Sequence, residues 1–382
     1  MTRSGPSAVM RDVANATGEN SEQQVISAAC CIDSDAFERF GRVLRHFAVG
    51  LVDQAISLRI LSSDPRIESL TLGPVQTLVH QPIVWPVRKR RVEQLVDALS
   101  HQPPTIVHAL SHRSYGVAKA IAQAFDIDLV FQVTSMADCD AIAQTNVDHV
   151  GRFLAISEPL ATFLTTQLSL PKNLVELIRP GVQVSKEIAC FTEPDRTPTL
   201  LCTSNFEKDS GVDRLIVALE LLRQREQAPL VFLLGRGRYE SALRNLVRQR
   251  NLLASVTFAQ PQGDPLRAIR SADIFVRPTI DTDFNADSLQ ALGAGVAVVA
   301  VAGGVGDHLR DGETARICRP ESAEALADAI EGLLTNRAEA RRLAATGLEY
   351  VRANHAMSAM AERTAAVYRN LALPRTTFSL NT

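Results

Sequence analysis

Twice along this chain, short apolar runs alternate with helix-length amphipathic stretches, and that alternation leaves few folds open. Residues 25–32 form an almost continuous apolar run, the pattern of a strand buried on both faces of a parallel sheet. Further strand-like runs at 55–61, 105–109, 129–133 and 153–156 are separated by helical stretches such as 92–99 and 116–125. Asp35 and Glu38 are spaced as a capping box for a helix running to about Gly50. The second half repeats the pattern, with strands at 199–203, 230–234, 256–258, 272–276 and 298–301. Its first helix, 212–225, puts Val212, Leu215, Ile216, Leu219 and Leu222 on one face. Helices at 322–334, 337–354 and 358–371 close the chain. Strands alternating with helices argue for parallel sheets, so the fold class is α/β with two Rossmann-like domains.

The 382 residues leave room for two domains of ordinary size. Residues 183–198 are polar, carry two prolines and lack periodicity, which makes them the expected linker between a domain at 25–182 and one at 199–357. Residues 358–372 form the last helix and 373–382 a tail. Residues 1–24 are polar and have no apolar core segment, so they read as a disordered leader rather than a signal peptide. No stretch reaches transmembrane length, and the expected location is cytoplasmic. The net charge of −2 gives no footprint for nucleic acid. Cys30, Cys31, Cys139, Cys190, Cys202 and Cys318 show no metal-ligand spacing, so buried thiols and no metal are expected.

Several local motifs fall in a telling order. They are Ile178-Arg179-Pro180-Gly181-Val182, Gly235-Arg236-Gly237-Arg238, Ala272-Asp273-Ile274-Phe275-Val276-Arg277-Pro278, Gly303-Gly304-Val305 and Asp311-Gly312-Glu313-Thr314. Each is weak alone; together the series resembles the retaining glycosyltransferases of the GT-B fold, the family 4 (group 1) set. The resemblance runs from about Val25 to Leu371. It implies two Rossmann-like domains facing a cleft, the first on the acceptor side and the second binding the donor, with the last helix returning to the first domain. It also implies retaining transfer of a sugar from a nucleotide-sugar donor to a glycan, lipid or small-molecule acceptor, without a cofactor.

Position by position, the charged landmarks of that family are absent. Matching Gly211-Val212-Asp213-Arg214-Leu215 to the family's Lys-Gly-Val-Asp-x-Leu places Asn205 and Ser210 where the family has the Arg and Lys that clamp the donor diphosphate. Phe284 and Gln290-Ala291-Leu292 set the register of a Glu-x7-Glu pattern and put Thr282 and Gln290 at its two carboxylates. Ser135 falls near the family's first-domain histidine, while His108 and His112 lie at an earlier strand end and read as structural or solvent-facing. The donor-side set is therefore Asn205, Lys208, Ser210, Gly235, Arg236, Gly237, Asp287, Ser288, Gln290, Gly303 and Gly304, with Thr282, Gln290 and Ser135 as catalytic candidates. Losing both cations removes about 3–6 kcal/mol of charge-assisted hydrogen bonding, roughly 10²- to 10⁴-fold in affinity. Lys208, Arg236, Arg238 and Arg277 are the cations left to compensate.

The helix after Phe284 opens with Asn285 as an N-cap and Asp287 in the first turn, a well-capped start that repels phosphate. Asp281 and Asp283 add negative charge nearby. After Gly235 and Gly237 a third glycine is missing, which sets aside a dinucleotide-binding oxidoreductase. The basic run Arg88-Lys89-Arg90-Arg91 after Trp85 is either a solvated face or a peripheral membrane contact. Two functional readings stay open: a glycosyltransferase with a divergent donor site, and a non-catalytic relative that binds or scaffolds in glycan assembly.

Overall fold

The computed structural model describes residues 26–83, 88–147, 149–193, 195–260, 265–280, 282–319 and 321–372. The leader, Trp85, Asp281 and the tail named above lie outside these. Strands β1 (Ser27–Cys31), β2 (Ser57–Ser62), β3 (Gln76–Val79), β4 (Ile106–Ala109), β5 (Leu129–Val133), β6 (Val150–Ala155) and β7 (Val175–Leu177) form one parallel sheet ordered β3-β2-β1-β4-β5-β6-β7. Helices α1 (Ser34–Asp53), α2 (Arg88–Ser100), α3 (His112–Phe125), α4 (Met136–Gln144) and α5 (Glu158–Thr166) connect it. A second parallel sheet orders β8 (Thr199–Asn205), β9 (Leu230–Arg236), β10 (Val256–Ala259), β11 (Ile274–Arg277), β12 (Ala297–Val301) and β13 (Arg316–Cys318) as β10-β9-β8-β11-β12-β13. Its helices are α6 (Val212–Gln224), α7 (Glu240–Gln249), α8 (Leu266–Arg270), α9 (Ala286–Gly293), α10 (Ala323–Thr335) and α11 (Arg337–Asn354), and α12 (Met357–Ala372) follows. The fold is thus two Rossmann-like α/β domains, as the alternation implied.

The central strands are buried along their length because helices cover both faces: β4 and β12 have no exposed residue. The edge strands β3, β7 and β13 were not legible in the sequence, because Gln76–Val79 and Val175–Leu177 carry no fully buried residue and so no apolar run. The α1 cap also differs from expectation. Asp33, not Asp35, caps the helix, its carboxylate accepting from the amides of Asp35 (2.9 Å) and Ala36 (3.1 Å). Asp35 instead sits in the first turn and pairs with Arg113. Helix α3 starts four residues earlier than its apolar pattern suggested, because Ser111 and Ser114 form a reciprocal capping box.

Residues 183–193 do not hang free. Ser185 and Ala189 donate to the Gly293 and Gly295 carbonyls, and the Phe191 amide donates to Asp273 at 2.8 Å. Helix α12 packs on the first sheet: Tyr368 reaches His108 Nδ1 at 2.7 Å, and Arg369 donates to the Gln54 carbonyl at 2.7 Å. All six cysteines are buried and free. Among the described residues no helix is long and apolar enough to cross a membrane.

Candidate cleft between the two sheets

The carboxyl ends of both sheets meet, and each chain segment there has a traceable reason for its path. On the second domain, β8 ends at exposed Asn205, followed by buried Phe206, exposed Lys208 and half-buried Ser210. Strand β9 runs beside it, Ser204 facing Gly235 and Asn205 facing Arg236. A Cβ at Gly235 would overlap the Ser204 carbonyl, and one at Gly237 the Phe206 carbonyl. These glycines therefore serve the chain's own backbone, and their presence is no measure of phosphate binding. Arg236 lies 3.7 Å from Glu38 of α1 and Arg238 lies 3.5 Å from Glu207. Such exposed pairs contribute about 0–1 kcal/mol each, but they give both candidate cations a carboxylate already.

At α9 two of the first-turn amides, of the kind that face a phosphate in a helix N-terminal site, are taken. The Asn285 side chain accepts from Asp287 N at 2.8 Å and Ser288 N at 3.2 Å. Ser288 is fully buried and bonds His308 Nε2 at 2.9 Å, while Gln290 is 5% exposed. His308 is held neutral, burial pushing its pKa down to about 3. Beyond β12, Gly303 and Gly304 adopt φ of 105° and 109°, backbone that only glycine takes readily. Asp307 then accepts from Arg179 at 2.7 Å and from the Glu158 amide at 3.2 Å, and Val305 accepts from Ser157 Oγ, which ties this loop to the first domain.

The stretch before α9 crosses the cleft and pairs with the first domain. Ser135 and Asp283 form an antiparallel bridge, with Phe284 N donating to Thr134 O at 3.0 Å and Met136 N to Thr282 O at 3.2 Å. Phe284 stacks on Phe40 of α1, centroids 5.3 Å apart, and Arg39 lies 3.8 Å from Asp283. Ser135 and Thr282, matched separately from sequence, are thus brought side by side. Thr282 is exposed; Ser135 is buried and its hydroxyl is spent accepting from Asp138 N at 3.1 Å as the cap of α4. Behind Phe40 is a cavity of about 50 Å³ lined by Phe47, Leu110, Ile178 and Met360 among others.

The first-domain side carries polar groups that sequence reasoning missed. Ser111 Oγ donates to Asp33, joining the ends of β1 and β4. Asp138 is fully buried and accepts from Thr134 N and Oγ1 at 2.8 Å each, from His112 N at 2.9 Å and from His112 Nδ1 at 2.8 Å. Burial opposes the charge on Asp138, but the bonds from His112 and Thr134 outweigh it and hold the carboxyl below its usual range. The bond to Asp138 in turn raises the His112 pKa, against partial burial. His108, read as structural or solvent-facing, is wholly buried and pushed down to about 3. Only its separation from Asp138 by 26 positions hid the pairing of His112. Asp138 itself lies in an unremarkable Met136-Ala137-Asp138-Cys139 stretch.

Comparison with known proteins agrees with this architecture. Residues 185–349 match the family model of glycosyl transferases group 1. The chain is 30% identical over 218 residues to a GDP-mannose-dependent α-(1-6)-phosphatidylinositol monomannoside mannosyltransferase of Mycobacterium tuberculosis, covering 52% of this chain and 57% of that protein. It is 24% identical over 285 residues to a Mycobacterium tuberculosis glycogen synthase, covering 69% and 68%. The chain thus spans little more than half the length of the mannosyltransferase it matches. Among solved structures, a Rickettsia africae glycosyltransferase aligns with a TM-score of 0.76 at 13% identity, over 92% of this chain and 100% of the other. Anabaena HepE in complex with UDP and glucose aligns with a TM-score of 0.74 at 15% identity, over 91% and 100%. The fold is that of the GT-B glycosyltransferases. The match to the group 1 glycosyl transferase model lies over the second domain.

Proposed function

We propose that this protein is a glycosyltransferase that takes a nucleotide-sugar donor in the cleft and transfers the sugar, with retention, to a glycan, lipid or small-molecule acceptor. The observation that supports the reading is the pairing of Thr134, Ser135 and Met136 with the Thr282-Asp283-Phe284 stretch that leads into α9. Residues 25–182 serve the acceptor and 199–357 the donor, with 183–198 as the link and 358–372 packed back on the first domain. Lys208 and Arg236 take the diphosphate, Arg236 by leaving Glu38. Because leaving-group charge is stabilised by few groups, donor affinity is low and turnover slow. The start of α2, with Lys89 and Arg90 exposed, would supply a peripheral contact to anionic lipid.

One observation favours a second reading, a non-catalytic binding or scaffold protein. Asn285 occupies two of the α9 amides, those of Asp287 and Ser288, which closes them to a phosphate. The two readings part in an assay of nucleoside diphosphate release over a panel of nucleotide sugars at millimolar concentration, with glycan and lipid acceptors. Acceptor-dependent release supports the transferase. No release from any donor, with no heat of binding for nucleoside diphosphates, overturns it in favour of the scaffold.

A further inference from the structure

The first sheet has its change of winding between β1 and β4, and in open α/β sheets that crevice at the carboxyl ends of the strands is where ligands lie. Asp33 follows β1, and Ser111 and His112 follow β4, so these three residues line it. His112 is the first residue of α3 and its side chain is 27% exposed. Its Nδ1 is fixed by the fully buried carboxylate of Asp138 at 2.8 Å, and its Nε2 has no hydrogen-bond partner among the described residues. A carboxylate on Nδ1 sets the tautomer: the proton stays on Nδ1 and the Nε2 lone pair is presented outward. The His112 backbone amide also donates to Asp138, at 2.9 Å. The same Asp138 binds both polar groups of Thr134 and, through its amide, Ser135 Oγ. The histidine is therefore rigidly tied to the segment that pairs with Thr282.

Resting on the glycosyltransferase reading, we propose that His112 receives the proton of the acceptor hydroxyl and that Asp138 is its positioning residue. In the step, the acceptor O–H gives its proton to His112 Nε2 and the acceptor oxygen bonds the anomeric carbon on the face from which the diphosphate departs, as retention requires. The bond from that carbon to the diphosphate oxygen breaks, and its electron pair leaves with the nucleoside diphosphate. The imidazolium then returns its proton to solvent. The charges His112 feels are those of Asp138, Arg113 and Asp33; Arg113 is itself paired with Asp35. Asp138 and Asp33 favour the protonated ring and Arg113 opposes it.

The test compares His112→Gln with wild type for turnover, KM of the acceptor and the pH profile, with thermal unfolding as a control for folding. Turnover at saturating substrate should fall by about 10²- to 10⁴-fold, the usual share of a general base. The acceptor KM should change by less than about threefold, since the base acts on the proton in flight rather than on ground-state binding. The acidic limb of the turnover profile should also vanish. Nitrogen NMR of the wild-type imidazole should show the proton on Nδ1 in the neutral ring. Turnover and a pH profile left unchanged by His112→Gln overturn this inference alone, as does a neutral ring protonated on Nε2. A wild type that turns over no donor overturns it together with the reading on which it rests.

Discussion

The two walls of the cleft are built from the same kind of domain, yet they treat charge in opposite ways. On the second-domain wall several polar groups are satisfied from within: Asn285 holds two α9 amides, Ser288 bonds His308, and Arg238 leans on Glu207. On the first-domain wall Asp138 gathers four hydrogen bonds and leaves one imidazole nitrogen outward. The lesson is that a binding scaffold can outlast its ligand contacts. Gly235 and Gly237 persist because the neighbouring backbone needs the space, whatever is bound. The proposed chemistry, by contrast, is placed where a buried charge is kept at a cost in desolvation.

The sharpest way to break this contrast is Asp138→Ala. It strands two buried donors of Thr134 and two of His112, and the expected loss is about 3–5 kcal/mol of unfolding free energy. Chemical denaturation checks it; a loss below about 1 kcal/mol would mean the first-domain cluster holds nothing together. Gly235→Ala tests the opposite wall. Overpacking against Ser204 O should cost about 1–3 kcal/mol in unfolding free energy. Binding of nucleotide should fall only in proportion to lost fold, and a selective loss of binding in a stable variant would restore a phosphate role for this turn.

Acid separates the two walls in another way. His108, His308 and His355 are neutral when folded, with burial lowering their pKa values to about 3, 3 and 4. Between those values and about 6.5 the unfolded chain binds the extra protons. Stability therefore falls as pH drops below about 6.5, by up to about 1.4 kcal/mol for each histidine over each unit. Asp138 adds a loss at lower pH, as its depressed carboxyl is protonated. His112 runs the other way: its raised pKa contributes stability in full below about 6.5 and loses it as pH rises through the folded value. A stability curve flat from pH 7 to 5 contradicts the buried, neutral state of the three histidines. The smallest expected effect is that of Asn285→Gly, which frees two amides at α9. It should tighten nucleoside diphosphate binding about fivefold, near 1 kcal/mol, at a cost of a few tenths in stability. Calorimetry reads the first and thermal unfolding the second; unchanged affinity would show that the amides are not part of a donor site.

Much of the fold could be read from residue order, because central strands such as Ala297–Val301 are apolar throughout and their helices keep one face. What stayed hidden was local chemistry between distant residues. The capping of α1 by Asp33 depends on how a carboxylate two residues ahead meets the first-turn amides. The Ala272-Asp273 motif is explained only once Asp273 is seen buried beneath β8, accepting from Thr199 N at 2.8 Å and from Phe191 N at 2.8 Å. Thr314 of the Asp311-Gly312-Glu313-Thr314 motif likewise closes a turn, donating to His308 O at 2.6 Å. The resemblance named Ser135 and Thr282 separately and only the structure pairs their segments, while no pattern in the sequence linked His112 to Asp138.

The central claim, that the second-domain wall is a proposed donor site without the charges expected there, is tested most directly by titrating nucleoside diphosphates into wild type and into a rebuilt chain. The rebuilt chain carries Asn205→Arg, Ser210→Lys, Thr282→Glu and Gln290→Glu. Calorimetry should give weak, roughly millimolar binding to wild type and a gain of about 10²- to 10⁴-fold on rebuilding, the affinity of the two missing cations. Micromolar binding by wild type, or a rebuilt chain that binds no better, would contradict the account.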